Sequence, residues 1–346
     1  MTMLGKTRCA VVLMLGWMTT GVVLAQPSSP PKPYPNTENF GVDVDRQEPW
    51  FKACMRVEKV QPVATPPAPA SCKAFDYYGK RQQAVTSSAE WQGVRACAVA
   101  AQDHGVLAML YANGLGVARN LDLATQYACR AGGSYREVQG RVDHLQALQT
   151  SPPGTSFDQC DDATSGQMGG ICARIGAGQA EKIRLAFLAR LRSQLPAPQV
   201  APFDRLVAAT EALAKARGDE TDLSGTARGM MVANAEARER EWLREHLAAF
   251  EKGNFKAAVA PSLAAADAEL NRLYKALMAA PGTDKEQPDR LSGSTVTKTE
   301  VRAAQRLWLA NRDAWVRFAS LRYPALPPDA LKAMLTDWRA RQLDRM

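Results

Sequence analysis

The sequence predicts an all-α protein: stacked helical hairpins of repeat type, followed by one or two small helical bundles. Three observations carry that expectation. Apolar residues recur at helical spacing through the second half, as in Val301, Ala304, Trp308, Asn311, Trp315 and Phe318. The first half holds two similar stretches, each a Tyr-bearing segment followed by a Cys at nearly equal distance. Pro and Gly punctuate the helical segments at Pro196, Gly253, Pro281-Gly282 and Pro324.

The N-terminus reads as a removable secretory signal over residues 1–25. Lys6 and Arg8 precede an apolar run from Cys9, which ends at Val23-Leu24-Ala25 before Gln26. The run contains Thr19, Thr20 and Gly21 and is too short to span a bilayer comfortably. No Cys follows the cleavage point, so a lipid anchor is not expected. The product is expected in a periplasm or outside the cell, without a stable membrane anchor. The chain of 346 residues carries a formal charge of +8, which falls to +6 once Lys6 and Arg8 leave. That balance could favour anionic lipid or cell-wall polymer; the plainer reading is a soluble surface rich in arginine. No basic block is interleaved with aromatics, which argues against nucleic acid as a partner.

Six of the seven cysteines remain after the signal: Cys54, Cys72, Cys97, Cys129, Cys160 and Cys172. An even set in an exported chain suggests disulfides, with connectivity open. None lies beyond Cys172, so the C-terminal half must fold without crosslinks.

Residues 26–70 form a Pro-rich leader, with Pro-rich runs at 26–37 and at Val63–Ala70. Trp50-Phe51 between them is expected to cap a hydrophobic surface. Residues 71–150 hold the repeat. Tyr78 precedes Cys97 by 19 residues, and Tyr111 precedes Cys129 by 18. Neither hairpin could bury its apolar face alone, so stacking supplies the core. The second copy resembles a Sel-one-like repeat, a relative of the tetratricopeptide hairpin, at Leu107, Leu110, Tyr111, Gly114, Gly116, Val117, Asn120, Ala124 and Tyr127. It departs from that pattern at Ala108 and Asn120, and the first copy lacks the Gly-x-Gly-Val element. Gly114 and Gly116 fall where the chain reverses, which favours positive φ and close backbone approach. Cys72 is placed at the start of the first hairpin and Cys97 at its end, which favours a Cys72–Cys97 bridge.

Residues 151–180 read as a Cys loop. The short offset from Cys160 to Cys172 favours a bridge there, which leaves Cys54 for Cys129. Asp161 and Asp162 lack the spacing of a calcium loop; Asp162, Thr164 and Ser165 are expected to make turn and capping bonds. His104, His144 and His246 are dispersed, so no metal and no cofactor is expected. No nucleotide loop or hydrolase elbow occurs. Ser224, within Leu223–Thr226, reads as a helix start. A pair of carboxylates brought together by folding, of the kind that cleaves glycosides, is the alternative enzymatic reading. The favoured expectation is that the chain is no enzyme.

Residues 181–255 read as helical, with Phe187, Leu188, Leu191 and Leu195 before the Pro196–Pro202 break, and a long helix from about Ser224 to Lys252. Residues 256–346 read as three amphipathic helices. Within them, Asp267-Ala-Glu-Leu-Asn-Arg-Leu-Tyr-Lys-Ala-Leu277 and Val301-Arg-Ala-Ala-Gln-Arg-Leu-Trp-Leu-Ala-Asn-Arg-Asp313 resemble the two helical motifs of the LprI-like lysozyme-inhibitor family, in the family's order. That resemblance implies a helical binding domain facing an envelope protein, lysozyme in particular. The family's flanking cysteines are absent, and Trp315 occupies the region after the second motif. Region 181–255 echoes the same helix–break–helix order and could be a divergent copy. Arg312 and Asp313, with Trp308 or Trp315, form the candidate recognition face, against the plainer reading of both indoles as core. The alternative is an adaptor that binds an envelope protein through its repeats at 72–133, without lysozyme inhibition.

Overall fold

The computed structural model describes residues 33–37, 43–70, 72–74, 76–255, 261–282 and 286–346. The secretory signal expected at 1–25 lies outside the described residues. The described residues are helical, with only isolated β-bridges joining Gly282 to Leu291 and Arg290 to Thr297.

The N-terminal body is built from α1 (Pro49–Val57), α2 (Asp76–Arg81), α3 (Ser88–Ala100), α4 (His104–Asn113), α5 (Leu121–Arg130) and α6 (Tyr135–Ala147). The hairpin α4–α5 is the second repeat copy. Asp103 and Asn120 cap its two helices, accepting from Val106 N at 3.0 Å and Leu123 N at 2.9 Å. Gly114 ends α4 in the left-handed region at φ 66°. Gly116 also has φ 66°, and a Cβ there would stand 2.6 Å from the Trp91 backbone. The glycine therefore lets the reversal pack directly on α3. In the first copy the leading helix is only the short α2, and Cys72 lies on irregular chain before it.

The leader is tied onto this body. Trp50 is 1% exposed in the core beside Tyr77, Leu110 and Cys129. Gln126 Nε2 donates to the carbonyls of Val57, Glu58 and Val60 at 2.8–2.9 Å. Cys54 is bonded to Cys129, and Cys160, on a 3₁₀ turn at Gln159–Asp162, to Cys172. The expected Cys72–Cys97 bridge is not formed: both are thiols, hydrogen-bonded to one another, with burial holding Cys97 up at about 11.

The C-terminal body interlocks α7 (Gly166–Ser193), α8 (Ala197–Asp219), α9 (Arg228–Glu251), α10 (Leu263–Ala279), α11 (Lys298–Arg322) and α12 (Pro328–Leu343). Three corrections apply. The segment read as a Cys loop to 180 turns helical at Gly166, where Ser165 Oγ accepts from Met168 N at 3.1 Å. Its glycines read as loop, yet Gly166 and Gly170 lie against the backbone of Thr226 and Met230, so they permit close helix approach. Ser224 does not cap α9, because Asp222 captures both its N–H and its hydroxyl; α9 starts after Ala227. The break expected over Pro196–Pro202 is shorter, since α8 begins at Ala197 and contains Pro202.

Helix pairing is the main feature of this body. α7 lies along α9, α10 along α12, and α8 along α11. α8 also packs extensively on α9, whereas α11 touches α12 far less, so the two halves are not packed alike. Leu191, Phe203, Leu206, Leu247, Phe250, Trp315, Phe318 and Leu335 form one core across α7, α8, α9, α11 and α12. Leu213, Leu270, Leu273, Val301, Trp308 and Leu343 form a second. The last three helices are therefore not a self-contained bundle, because α11 has its longest contact with α8.

Candidate functional site

Helix α11 starts with a capping box: Thr297 Oγ1 accepts from Glu300 N at 3.2 Å, and Thr297 N donates to the Glu300 carboxylate at 2.7 Å. From that start the helix divides its faces cleanly. Val301, Ala304, Trp308, Asn311, Trp315 and Phe318 are buried. Asn311 Nδ2 donates to Thr210 Oγ1 at 2.8 Å, a buried polar pair that fixes how α11 lies on α8. The opposite face exposes Arg302, Arg306, Leu309 and Asp313, spaced like one helical stripe.

The sequence-predicted site residues separate into two groups. Trp308, Arg312 and Asp313 come together. Trp315 does not join them. It is 1% exposed and packs edge-on against Trp242 and Phe250, with ring centroids 5.7 and 6.1 Å away, so it holds the core and offers nothing to a partner. Burying a ring of this size stabilises by roughly 2–3 kcal/mol. Trp308 is also buried, but one ring face is covered by Arg312, whose guanidinium carbon lies 5.0 Å from the ring centroid. Arg312 stands 3.9 Å from Asp267 on α10 and 3.9 Å from Asp313, and its Nε makes no hydrogen bond.

Trp308 and Arg312 floor a shallow groove between α10 and α11, with Asp313 outside its lining. Asp267, Asn271 and Tyr274 form the α10 wall, and Arg302, Arg306 and Leu309 the α11 wall. Leu309 is 39% exposed beside the guanidiniums. Arg302 reaches 3.5 Å from Asp289, whose carboxyl sits below the usual range, first through its bond from Thr299 and then through Arg302. Arg306 has no ion-pair partner among the described residues. Such a face can bind: a guanidinium pair, an apolar contact and amide groups converge on one surface. Among the described residues no cluster could hold a metal ion, and Ser224 bonds to Asp222 with no histidine partner.

Sequence reasoning missed Arg302, Arg306, Leu309 and Tyr274. The signal is present in the spacing 302, 306, 309, 313, on the face away from the stronger apolar stripe of the same helix. Among the described residues, no helix is long and apolar enough to cross a membrane.

No curated protein and no solved structure matches this chain. Its C-terminal part does carry a family signature: residues 248–343, from the end of α9 through α12 and so including the whole α10–α11 groove, match the family described as Lysozyme inhibitor LprI.

Proposed function

We propose that this chain is an exported, non-enzymatic binding protein of the cell envelope that inhibits a lysozyme, with the α10–α11 face making the contact. The observation that carries the reading is the family match over that face. Long-range charge does not help, because residues 241–346 hold 17 Lys or Arg against 13 Asp or Glu, and many lysozymes are basic too. Recognition is therefore local. A glycoside hydrolase cleft carries paired carboxylates, and Arg302 and Arg306 present guanidiniums suited to carboxylate geometry beside the apolar Leu309. Occupying the cleft blocks the substrate.

The test is lysis of bacterial cell walls by lysozyme with the signal-free protein in excess. The expected result is slowed lysis, with Arg302→Ala/Arg306→Ala weakening inhibition by about tenfold or more, as loss of two hot-spot guanidiniums implies. Unchanged lysis in excess wild-type protein removes the reading. The N-terminal body favours a second role, because it has a core of its own closed by Cys54–Cys129. An adaptor working through residues 72–133 would keep capturing its envelope partner in the doubly substituted full chain.

A further inference from the structure

A second site lies away from the α10–α11 groove and is independent of the lysozyme reading. The C-terminal end of α8, the outer face of α9, the 291–296 loop and the last turns of α12 enclose a basin of about 360 Å³. That volume suits a small molecule rather than a protein segment. Its floor is polar and built. Glu220 and Arg339 are both fully buried, joined by two bonds of 2.8 and 2.7 Å. Arg217 also pairs with Glu220 and stands 3.6 Å from Glu239, which accepts a bond from Gln342. Met231, Leu291, Val296 and Trp338 contribute apolar surface to its lining.

The acids and bases of this basin are unequally satisfied. Glu220 is held by Arg339 and Arg217. Asp222 accepts from Ser224 N at 3.0 Å, Ser224 Oγ at 2.6 Å, and Thr295 N and Oγ1 at 3.1 Å each. Every carboxylate in the lining therefore has its donors. The bases do not all have acceptors. Arg341 is paired, with Asp337 at 2.5 Å. Arg238 and Arg345 at the rim make no ion pair or side-chain hydrogen bond among the described residues, whereas the Nε of Arg217 faces Glu239 at 3.6 Å. A cavity lined both by guanidiniums without partners and by apolar side chains is complementary to an amphipathic anion.

We propose that this basin binds a small organic carboxylate, its charged group held by Arg238 and Arg345 and its apolar body against Met231, Val296 and Trp338. Isothermal titration of the signal-free full chain with 3-phenylpropionate tests it. Uncharged 3-phenylpropanol and inorganic phosphate serve as comparison probes. The carboxylate is expected to bind at least about tenfold more tightly than either, since each probe lacks one half of the complementarity. Arg238→Ala/Arg345→Ala is expected to weaken it by a similar factor, with thermal unfolding unchanged because neither side chain has a partner to lose. The exposed Arg136→Ala, in the N-terminal body, should leave binding intact. No carboxylate binding, phosphate or alcohol binding of equal strength, or indifference to the double substitution would each overturn the proposal.

Discussion

Arg339 shows how much a single side chain can be asked to do. It is fully buried, bonds both oxygens of Glu220, and also reaches Gln305 at 2.9 Å and Gln342 at 3.2 Å. Desolvating such a pair offsets much of its Coulomb gain, so its presence adds little net stability, while breaking it leaves a buried charge exposed to an apolar surround. Arg339→Met is therefore expected to destabilise by about 3–5 kcal/mol in urea unfolding. A loss under ~1 kcal/mol would mean that Arg217 alone suffices for Glu220. His246 offers a pH-dependent counterpart. Its ring stacks on Trp242 at 3.7 Å, and Nδ1 bonds the Trp242 carbonyl at 2.9 Å. Burial lowers its proton affinity below the ordinary 6.5, with the Trp242 carbonyl and Glu245 opposing. The unfolded chain then binds the extra proton first. Stability is complete above about 6.5 and declines as pH falls through that value toward the lower folded value. Comparing melting temperatures at about pH 5 and pH 7.5, His246→Phe should show a smaller acid loss than wild type; parallel profiles would rule the histidine out as the cause.

Helices were legible in this sequence where the periodic stripe was strong, and less so where chemistry other than periodicity set them. The stripe from Val301 to Phe318 marked α11, and Thr297 with Glu300 could have marked its start. The opening of α7 was hidden because Gly166, Gly169, Gly170, Gly176 and Gly178 look like a loop. The glycines near its start in fact sit against α9, a tertiary cause that local propensity cannot report. Likewise the α8–α11 pairing depends on Thr210 meeting Asn311 across about a hundred residues, for which no local pattern exists. The groove was half legible: Trp308 and Arg312 came from the motif, Asp313 lies outside the lining, and the exposed Arg302–Arg306–Leu309 stripe has meaning only once α10 is known to lie beside it. The two kinds of glycine in α7 can be separated by experiment. A Cβ at Gly166 would collide with the Thr226 backbone, whereas one at Gly176 would meet nothing within 4 Å. Gly176→Ala should stabilise by about 0.5–1 kcal/mol through helix propensity. Gly166→Ala should destabilise by roughly 1–3 kcal/mol through overpacking. Denaturation midpoints that move in the same direction for both would refute the close-approach account.

At the scale of the whole molecule, crosslinks and cores are divided unequally along the chain. Cys54–Cys129 closes 75 residues and Cys160–Cys172 closes 12, and both serve the N-terminal body or its junction with α7. The cores of the C-terminal body contain no cysteine and rest on apolar burial, the Thr210–Asn311 pair and the buried arginine–glutamate cluster. In the chain-entropy account the longer bridge is worth about 4 kcal/mol and the shorter about 3 kcal/mol, drawn from the unfolded state. Reduction should therefore act regionally. Hydrogen exchange followed by mass spectrometry, with and without reductant, is expected to show faster exchange in α1, α4 and α5, whose amides line the Trp50–Leu110–Cys129 core. Amides of α8 and α11 should keep their protection, since no reducible bond reaches them except through α7. That helix couples the two bodies: it carries Cys172 near its start and Leu188 and Leu191 in the C-terminal core, and its Gln179 carbonyl accepts from Gln82 at 3.1 Å. Graded loss along α7, greatest before Cys172 and least at Leu191, would place the boundary between the two bodies within this helix. Equal loss in α5 and α11 would instead show one cooperative unit. The α10–α11 groove, proposed above as the lysozyme contact, would then depend on the disulfides of the distant repeats, and the inhibition assay would have to be run on oxidised protein alone.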